Sequence, residues 1–258
     1  MHLEERIAIV TGGSSGIGRG IAIEFARQGA RVVVADIREE PATGKYFDTD
    51  LSTTTGEEIA KLGGLSLFLR TDLACPHQVE AMVAGTIREF SGLDILVNNA
   101  AIHIPGNSEC LSIEDWDRVM AVNHRAVFVA CKHAIPHLRA SKTGRVINIS
   151  SIFSGFGGGG PAYPPSKASI LNYTKDLALE LAADSITVNA VCPGAIETPA
   201  QDYLEPEQIQ KATRRTPLGR FGTPRDIAGA CVFLASDDAE WITGSGMIVD
   251  GGWTASLE

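Results

Sequence analysis

Two kinds of hydrophobic pattern alternate along the chain. Residues 6–11 (RIAIVT) and 32–35 (VVVA) are short, continuous apolar runs rich in β-branched side chains, as a parallel strand covered on both faces requires. Between them Ile17, Ile21 and Phe25 recur among alanines at helical spacing until Gly29, a residue suited to ending a helix. Strand, glycine loop, helix and strand make one βαβ unit. The alternation continues with strands at residues 65–69, 93–97, 145–149, 186–191 and 246–249, and with helices at about 77–90, 112–140, 162–183 and 225–235. This pattern predicts an α/β fold: a single-domain, doubly wound Rossmann fold whose seven-stranded parallel sheet is flanked by helices. With no low-complexity linker and no internal repeat, residues 1–258 read as one dinucleotide-binding and catalytic domain. Two polar, proline-containing stretches, 39–64 and 199–224, carry no clear period and are expected to be loops or short helices. Ligands in open α/β sheets lie outside the carboxyl ends of strands, so 199–224, which follows the strand at 186–191, is the expected substrate lid.

Composition narrows the partners. Hydrophobic residues at 44% and charged residues at 21% are ordinary globular values, whereas 22 basic against 31 acidic residues give a net charge of −9. That charge opposes a phosphate backbone or an anionic lipid surface, so neither nucleic acid nor membrane is expected as a partner. Cys75, Cys110, Cys131, Cys192 and Cys231 are odd in number and form no C-x-x-C pair, which suggests neither a disulfide framework nor a zinc cage. A reducing compartment fits them. No apolar run approaches the ~18 residues of a membrane span, and the N-terminus has no signal-peptide pattern, so a cytoplasmic location is expected. His133 and His137 share a helix face, but Pro136 interrupts the turn and no carboxylate completes a ligand set. No metal is expected, and these two, with His103 and His124, read as solvated or core histidines.

In Thr11-Gly12-Gly13-Ser14-Ser15-Gly16-Ile17-Gly18 a glycine-rich loop joins a strand to a helix. Gly12, Gly16 and Gly18 let backbone N–H groups and the positive helix end approach a pyrophosphate, with Ser14, Ser15 and Ile17 completing the cradle. Asp36 closes the second strand 18 residues after Gly18, near the offset at which an acid takes the ribose hydroxyls and repels a 2′-phosphate. NAD is therefore favoured. Arg38 keeps NADP as the alternative, since a guanidinium there could pair with a 2′-phosphate.

Over nearly the whole chain the sequence resembles the short-chain dehydrogenases/reductases. The resemblance is carried by TGGSSGIG at 11–18, Asp72-Leu73, NNAA at 98–101, Asn123, Ser150-Ser151, Tyr163-x-x-x-Lys167, VCPGAIET at 191–198 and VDGG at 249–252. It implies an NAD(P)-dependent alcohol/carbonyl oxidoreductase acting on a small molecule, and a homotetramer built through the helices beginning near Ser112 and Ala162. It also implies that Asp72 contacts adenine, that Ile196 and Thr198 hold the nicotinamide carboxamide, and that Leu73, Asn99, Ala100, Pro193 and Gly194 belong to the cofactor site. The catalytic set it implies is Asn123, Ser151, Tyr163 and Lys167, with Tyr163 and Lys167 also touching cofactor. Three departures stand out. Ala101 replaces a usual glycine, Pro164 and Pro165 lie between Tyr163 and Lys167, and the serine is ambiguous. The usual spacing of thirteen residues before the tyrosine points to Ser150, while the strand end Ile149-Ser150-Ser151 points to Ser151. A deletion is easier in the loop at 157–160 than in a strand, which favours Ser151.

Tyr163 and Lys167, at i and i+4, share one helix face. A free phenol has a pKa near 10 and is a poor base, but an ammonium ~4 Å away is worth up to ~4 kcal/mol at an effective dielectric of 20. Lys167 is thus expected to lower the Tyr163 pKa and make it a usable acid/base. Tyr163 would exchange the hydroxyl proton of a secondary alcohol, Ser151 would hydrogen-bond the substrate oxygen, and the cofactor would carry the redox step. Asn123 lies on the apolar side of its helix with Trp116, Val119, Met120 and Val127, where an amide needs partners. The resemblance makes it the anchor of a water relaying protons from Lys167. Gln201, Asp202, Tyr203 and Glu205 in the expected lid favour hydroxyl-rich substrates such as sugars or polyols over steroids. The alternatives are a non-catalytic NAD-binding sensor or scaffold and a cofactor-retaining epimerase or dehydratase; the complete catalytic set speaks for the dehydrogenase.

Overall fold

A computed structural model describes residues 1–255. Seven strands, β1 (Ile7–Thr11), β2 (Arg31–Asp36), β3 (Ser66–Arg70), β4 (Ile95–Asn98), β5 (Arg145–Ile149), β6 (Thr187–Pro193) and β7 (Gly246–Val249), form one sheet in the order β3-β2-β1-β4-β5-β6-β7. Every pairing is parallel. Helices α1 (Gly16–Arg27), α2 (Thr55–Lys61), α3 (Pro76–Phe90), α4 (Ile113–Met120), α5 (Ala126–Ala140), α6 (Tyr163–Leu181), α7 (Pro206–Arg215) and α8 (Pro224–Ala235) complete the doubly wound Rossmann architecture. The continuous apolar runs have the predicted cause: β1, β4, β5 and β6 are buried at every position, while edge strand β7 alternates between exposed and half-buried. One core packs α1 and α8 against the sheet through Ile21, Phe25 and Ile227; the other packs α3, α5 and α6 against the opposite face through Met82, Leu138 and Leu177. No helix among the described residues is long and apolar enough to cross a membrane.

Three local features depart from the sequence reading or refine it. The helix expected over 112–140 is α4 and α5 joined by a π-turn, Ala121–Arg125, in which the Ala126 N–H reaches the Ala121 carbonyl. The aperiodic stretch 39–64 contains α2, started by a capping box in which Thr54 and Glu57 exchange side-chain and backbone hydrogen bonds. Pro164 and Pro165 lie in the first turn of α6, where a missing N–H costs no intrahelical bond.

Candidate active site

The sheet order reverses direction between β1 and β4, and the carboxyl ends of the central strands open there into a cavity of about 820 Å³. Gly12, Ser15, Gly16 and Ile17 line one end. Ser15 caps α1 by position, yet its side chain makes no bond to its own helix and the first turn carries no acidic residue. The first N–H groups of α1 and its positive end are thus available to an anion at the cavity. Asp36 lines the same end, with its carboxylate accepting from the Ser14 N–H at 3.1 Å and the Ile37 N–H at 2.8 Å. Burial pushes its pKa up, and those two N–H groups and the Arg38 charge hold it back. Thr71, Asp72, Leu73 and Ala74 form the adjoining wall, where the Asp72 carboxylate accepts from the Ala74 N–H at 2.9 Å. Asn99, Ala100, Pro193, Gly194, Ile196 and Thr198 continue the lining toward the centre.

Two loop residues expected at the cofactor stand behind this lining. Ser14 is fully buried and holds Asp36 through its N–H. Gly18 is glycine for close packing: a Cβ there would lie 2.1 Å from the Gly12 carbonyl oxygen and 2.5 Å from Asn99 Nδ2. An anion-ready helix end, a pinned acid at the end of β2 and a long cavity between them fit a dinucleotide.

Tyr163 opens α6, and Lys167 lies one turn on, buried. The Ser151 hydroxyl accepts from the Phe153 N–H at 3.1 Å and acts on the Tyr163 phenol, whose pKa it lowers against the larger effect of burial. Ser150 is engaged differently: its buried hydroxyl donates to the Lys167 carbonyl at 2.9 Å. Of the two candidate serines, Ser151 is the one beside the tyrosine. The Lys167 ammonium donates to the Ile149 carbonyl at 2.8 Å and sits 5.6 Å from the centroid of the Tyr163 ring. Burial drives the two pKa values apart, Tyr163 up to about 12 and Lys167 down to about 8. The expected lowering of Tyr163 by Lys167 is therefore corrected. Desolvation of the phenol outweighs a lysine whose charge is itself weakened by burial and directed at the end of β5.

Asn123 sits in the π-turn, buried, and does not line the cavity. Its Nδ2 donates to the Ile102 carbonyl and the Ser166 hydroxyl, both at 3.0 Å, and its Oδ1 accepts from the Ile102 N–H at 2.8 Å. Both amide hydrogens are taken, so the side chain pins the segment after β4. Asp202 and Glu205 also face elsewhere: Asp202 accepts from the Lys45 N–H, and Glu205 caps α7. Of 199–224, Pro199, Ala200, Gln201, Tyr203, Leu204, Gln208 and Ala212 reach the cavity, with Gln201, Tyr203 and Gln208 its polar side chains.

Sequence reasoning missed His103. It is half-buried, with its ring edge-on at 5.3 Å to Tyr163 and 4.9 Å to Tyr203, and its Nε2 is 3.3 Å from the Gly159 carbonyl. Burial lowers its pKa, favouring the neutral imidazole. The available signal was position, five residues beyond Asn98 at the carboxyl end of β4. Phe153, 6.4 Å from Tyr163, completes an aromatic surround.

The family model described as enoyl-(acyl carrier protein) reductase matches residues 12–254. The chain is 38% identical over 257 residues to the 2,5-dichloro-2,5-cyclohexadiene-1,4-diol dehydrogenase of Sphingobium indicum, covering 99% of both chains. It is 38% identical over 256 residues to 3beta-hydroxysteroid dehydrogenase 1 of Eggerthella lenta, covering 98% of this chain and 95% of that one. A solved Agrobacterium tumefaciens chain with bound NADP, suggested to be a 2-deoxy-d-gluconate 3-dehydrogenase, superposes with a TM-score of 0.85 at 38% identity, covering 98% of each chain. With the ordered motifs set around one cavity of a seven-stranded parallel sheet, the chain belongs to the short-chain dehydrogenases/reductases, a family of nicotinamide-dependent oxidoreductases.

Proposed function

We propose that this protein is an NAD-dependent dehydrogenase that interconverts a secondary alcohol and its ketone on a hydroxylated ring compound, a cyclic polyol or sugar. The observation that carries the reading is Ser151, Tyr163 and Lys167 converging in the cavity that Asp36 closes at its far end. When bound, the nicotinamide supplies the hydride acceptor or donor. Gly12, Ser15, Gly16 and Ile17 would hold the pyrophosphate, Asp36 the ribose hydroxyls, and Ile196 and Thr198 the nicotinamide end. With a pKa of about 12, the Tyr163 phenol is protonated at neutral pH, the state needed to give a proton to a ketone oxygen. In the opposite direction the same oxygen takes the alcohol proton, with the Lys167 charge beside its ring favouring the phenolate. The Ser151 hydroxyl bonds the substrate oxygen as its charge changes.

Asp36, oriented by two N–H groups, supports NAD; Arg38 in the lining and the NADP of the Agrobacterium chain support the rival cofactor. The ring preference rests on the edges of His103, Tyr203 and Phe153, which suit an apolar ring face, and on Gln201 and Gln208, which suit hydroxyls. Two curated relatives are named for alcohols on rings. Exposed Trp116, Phe128 and Leu179 on α4, α5 and α6 are the faces through which a homotetramer would form, a state that light scattering reads directly.

The test is a nicotinamide-absorbance screen of cyclic diols, sugars, open-chain polyols and steroids, each with NAD and NADP, with Tyr163→Phe as blank. Turnover with NAD of a cyclic polyol or sugar, lost in the variant, is expected. Turnover of steroids alone would overturn the substrate reading, and cofactor binding without turnover of any compound would favour a sensor.

A further inference from the structure

The connection between β2 and α2 is tied at both ends to the glycine loop. The Ala42 N–H donates to the Ser15 hydroxyl at 2.6 Å, and the Thr55 hydroxyl donates to the Gly13 carbonyl at 2.8 Å. Its tip reaches across to the segment 199–224. There the Lys45 N–H donates to both carboxylate oxygens of Asp202, each at 2.9 Å, and the Phe47 ring stacks on buried Phe221 with centroids 5.8 Å apart and planes at 28°. A Cβ on Gly44 would lie 2.3 Å from the Phe47 carbonyl oxygen and 3.1 Å from Pro199 Cα, so the tip is laid tightly against the start of that segment.

We infer that residues 42–55 are a strap that couples occupancy of the dinucleotide site to the ordering of the substrate-side segment, with Asp202 as the positioning residue of the link. The inference rests on the dinucleotide reading above. Ser15 lines the cavity and its oxygen has already accepted the Ala42 N–H, so its own hydrogen is left to give to a phosphate. A phosphate bound there stabilises the strap where it starts, and the strap holds Asp202, which does not itself line the cavity. Coupling of this kind is reciprocal, so a loosened segment weakens binding at the dinucleotide end.

ADP-ribose is the probe because it carries adenosine and pyrophosphate but no nicotinamide, and the Asp202 variants separate the strap from direct contact with Pro199 and Ala200, which line the cavity. Amide exchange of residues 199–215 and calorimetric affinity are read for the wild type, Asp202→Ala and Asp202→Asn, all confirmed folded by circular dichroism. ADP-ribose is expected to slow exchange in 199–215 of the wild type. Asp202→Ala is expected to lose that protection and to bind ADP-ribose about fivefold to tenfold more weakly, in line with loss of hydrogen bonds to a charged acceptor. Asp202→Asn, which keeps one acceptor oxygen, is expected between the two. Equal affinity and equal protection in Asp202→Ala, or ADP-ribose binding to wild type without protection of 199–215, would overturn the strap and leave the dehydrogenase reading standing. A wild type that binds none of ADP-ribose, NADH and NADPH would overturn both.

Discussion

The two ends of the sheet put buried polar side chains to opposite uses. At the amino end, near the start of β1, buried Arg6 donates to the Ala235 carbonyl and to Asp237 at 2.6 Å. Beside it, buried Arg145 donates to the Gly144 carbonyl at 3.0 Å and the Ser236 carbonyl at 3.5 Å. These partners all belong to the chain, and together they fasten the end of α8 to the sheet. At the carboxyl end, Asp36, Ser151, Tyr163 and Lys167 are held by protein partners yet keep bonding capacity at a cavity wall. Burial is costly for polar groups at both ends. The difference lies in where the bonding capacity points: at the amino end toward other segments of the chain, at the carboxyl end into the cavity.

The largest effect that would break this contrast is at Tyr163. Tyr163→Phe is expected to lower kcat about 1,000-fold, within the range for a lost general acid/base, while NADH affinity and Tm stay unchanged; a variant keeping most of its rate would move the proton transfer to another group. Arg6→Ala is the mirror image. It leaves the Ala235 carbonyl unpaired and is expected to cost about 1–3 kcal/mol in denaturant unfolding, the exposed Asp237 adding little, with kcat per folded molecule unaltered. Asp36→Ala is expected to shift the ratio of NADH to NADPH affinity toward NADPH by roughly tenfold to a hundredfold. In the wild type that ratio should fall as pH drops into the upper carboxylate range, because burial raises the Asp36 pKa and the protonated acid neither repels a 2′-phosphate nor accepts from both ribose hydroxyls. A ratio that stays flat as pH is lowered through the carboxylate range in a titration series would assign ribose reading to another residue.

The smallest effect concerns Asp226, which caps α8 with Thr223 and pairs with Arg220 at 2.8 Å. Asp226→Ala is expected to cost about 0.5–1 kcal/mol, the cap dominating because the ion pair is solvent-screened. The Arg220 guanidinium holds the Asp226 carboxyl well below its ordinary range. Its contribution is therefore present above the unfolded carboxylate pKa and lost as pH falls below it, so the gap between wild type and variant in a chemical melt should narrow in acid.

The amino-acid order made most of the scaffold legible because each signal was local. Val32, Val33 and Val34 announce a doubly covered strand wherever they are packed, and Ile17, Ile21 and Phe25 announce the helix that covers it. The capping box Thr54-x-x-Glu57 was equally local but passed unread, since only Thr55 and Ile59 of α2 are buried and a hydrophobic period has little to show there. The chemistry was legible as a set of residue types: Tyr163 and Lys167 by spacing on one helix face, Asp36 by offset from the glycine loop, Ser151 by its place at a strand end.

Relations between distant segments could not be read this way. The π-turn is held where Asn123 bonds the backbone of Ile102, 21 residues away. His103 comes to line the cavity between two aromatic rings only because Tyr163 and Tyr203 are brought to either side of it. The direction of the Tyr163 pKa was decided by burial, which belongs to the assembled site and to no residue in it. The same holds for the contact of Lys45 with Asp202, 157 positions apart in sequence. By itself the sequence determined the fold, the family and the candidate catalytic residue types, because hydrophobic period and motif spacing act over a few residues. Tertiary structure alone decided which polar groups were used up internally and which were left facing the cavity, because desolvation and hydrogen-bond partners exist only after distant segments meet.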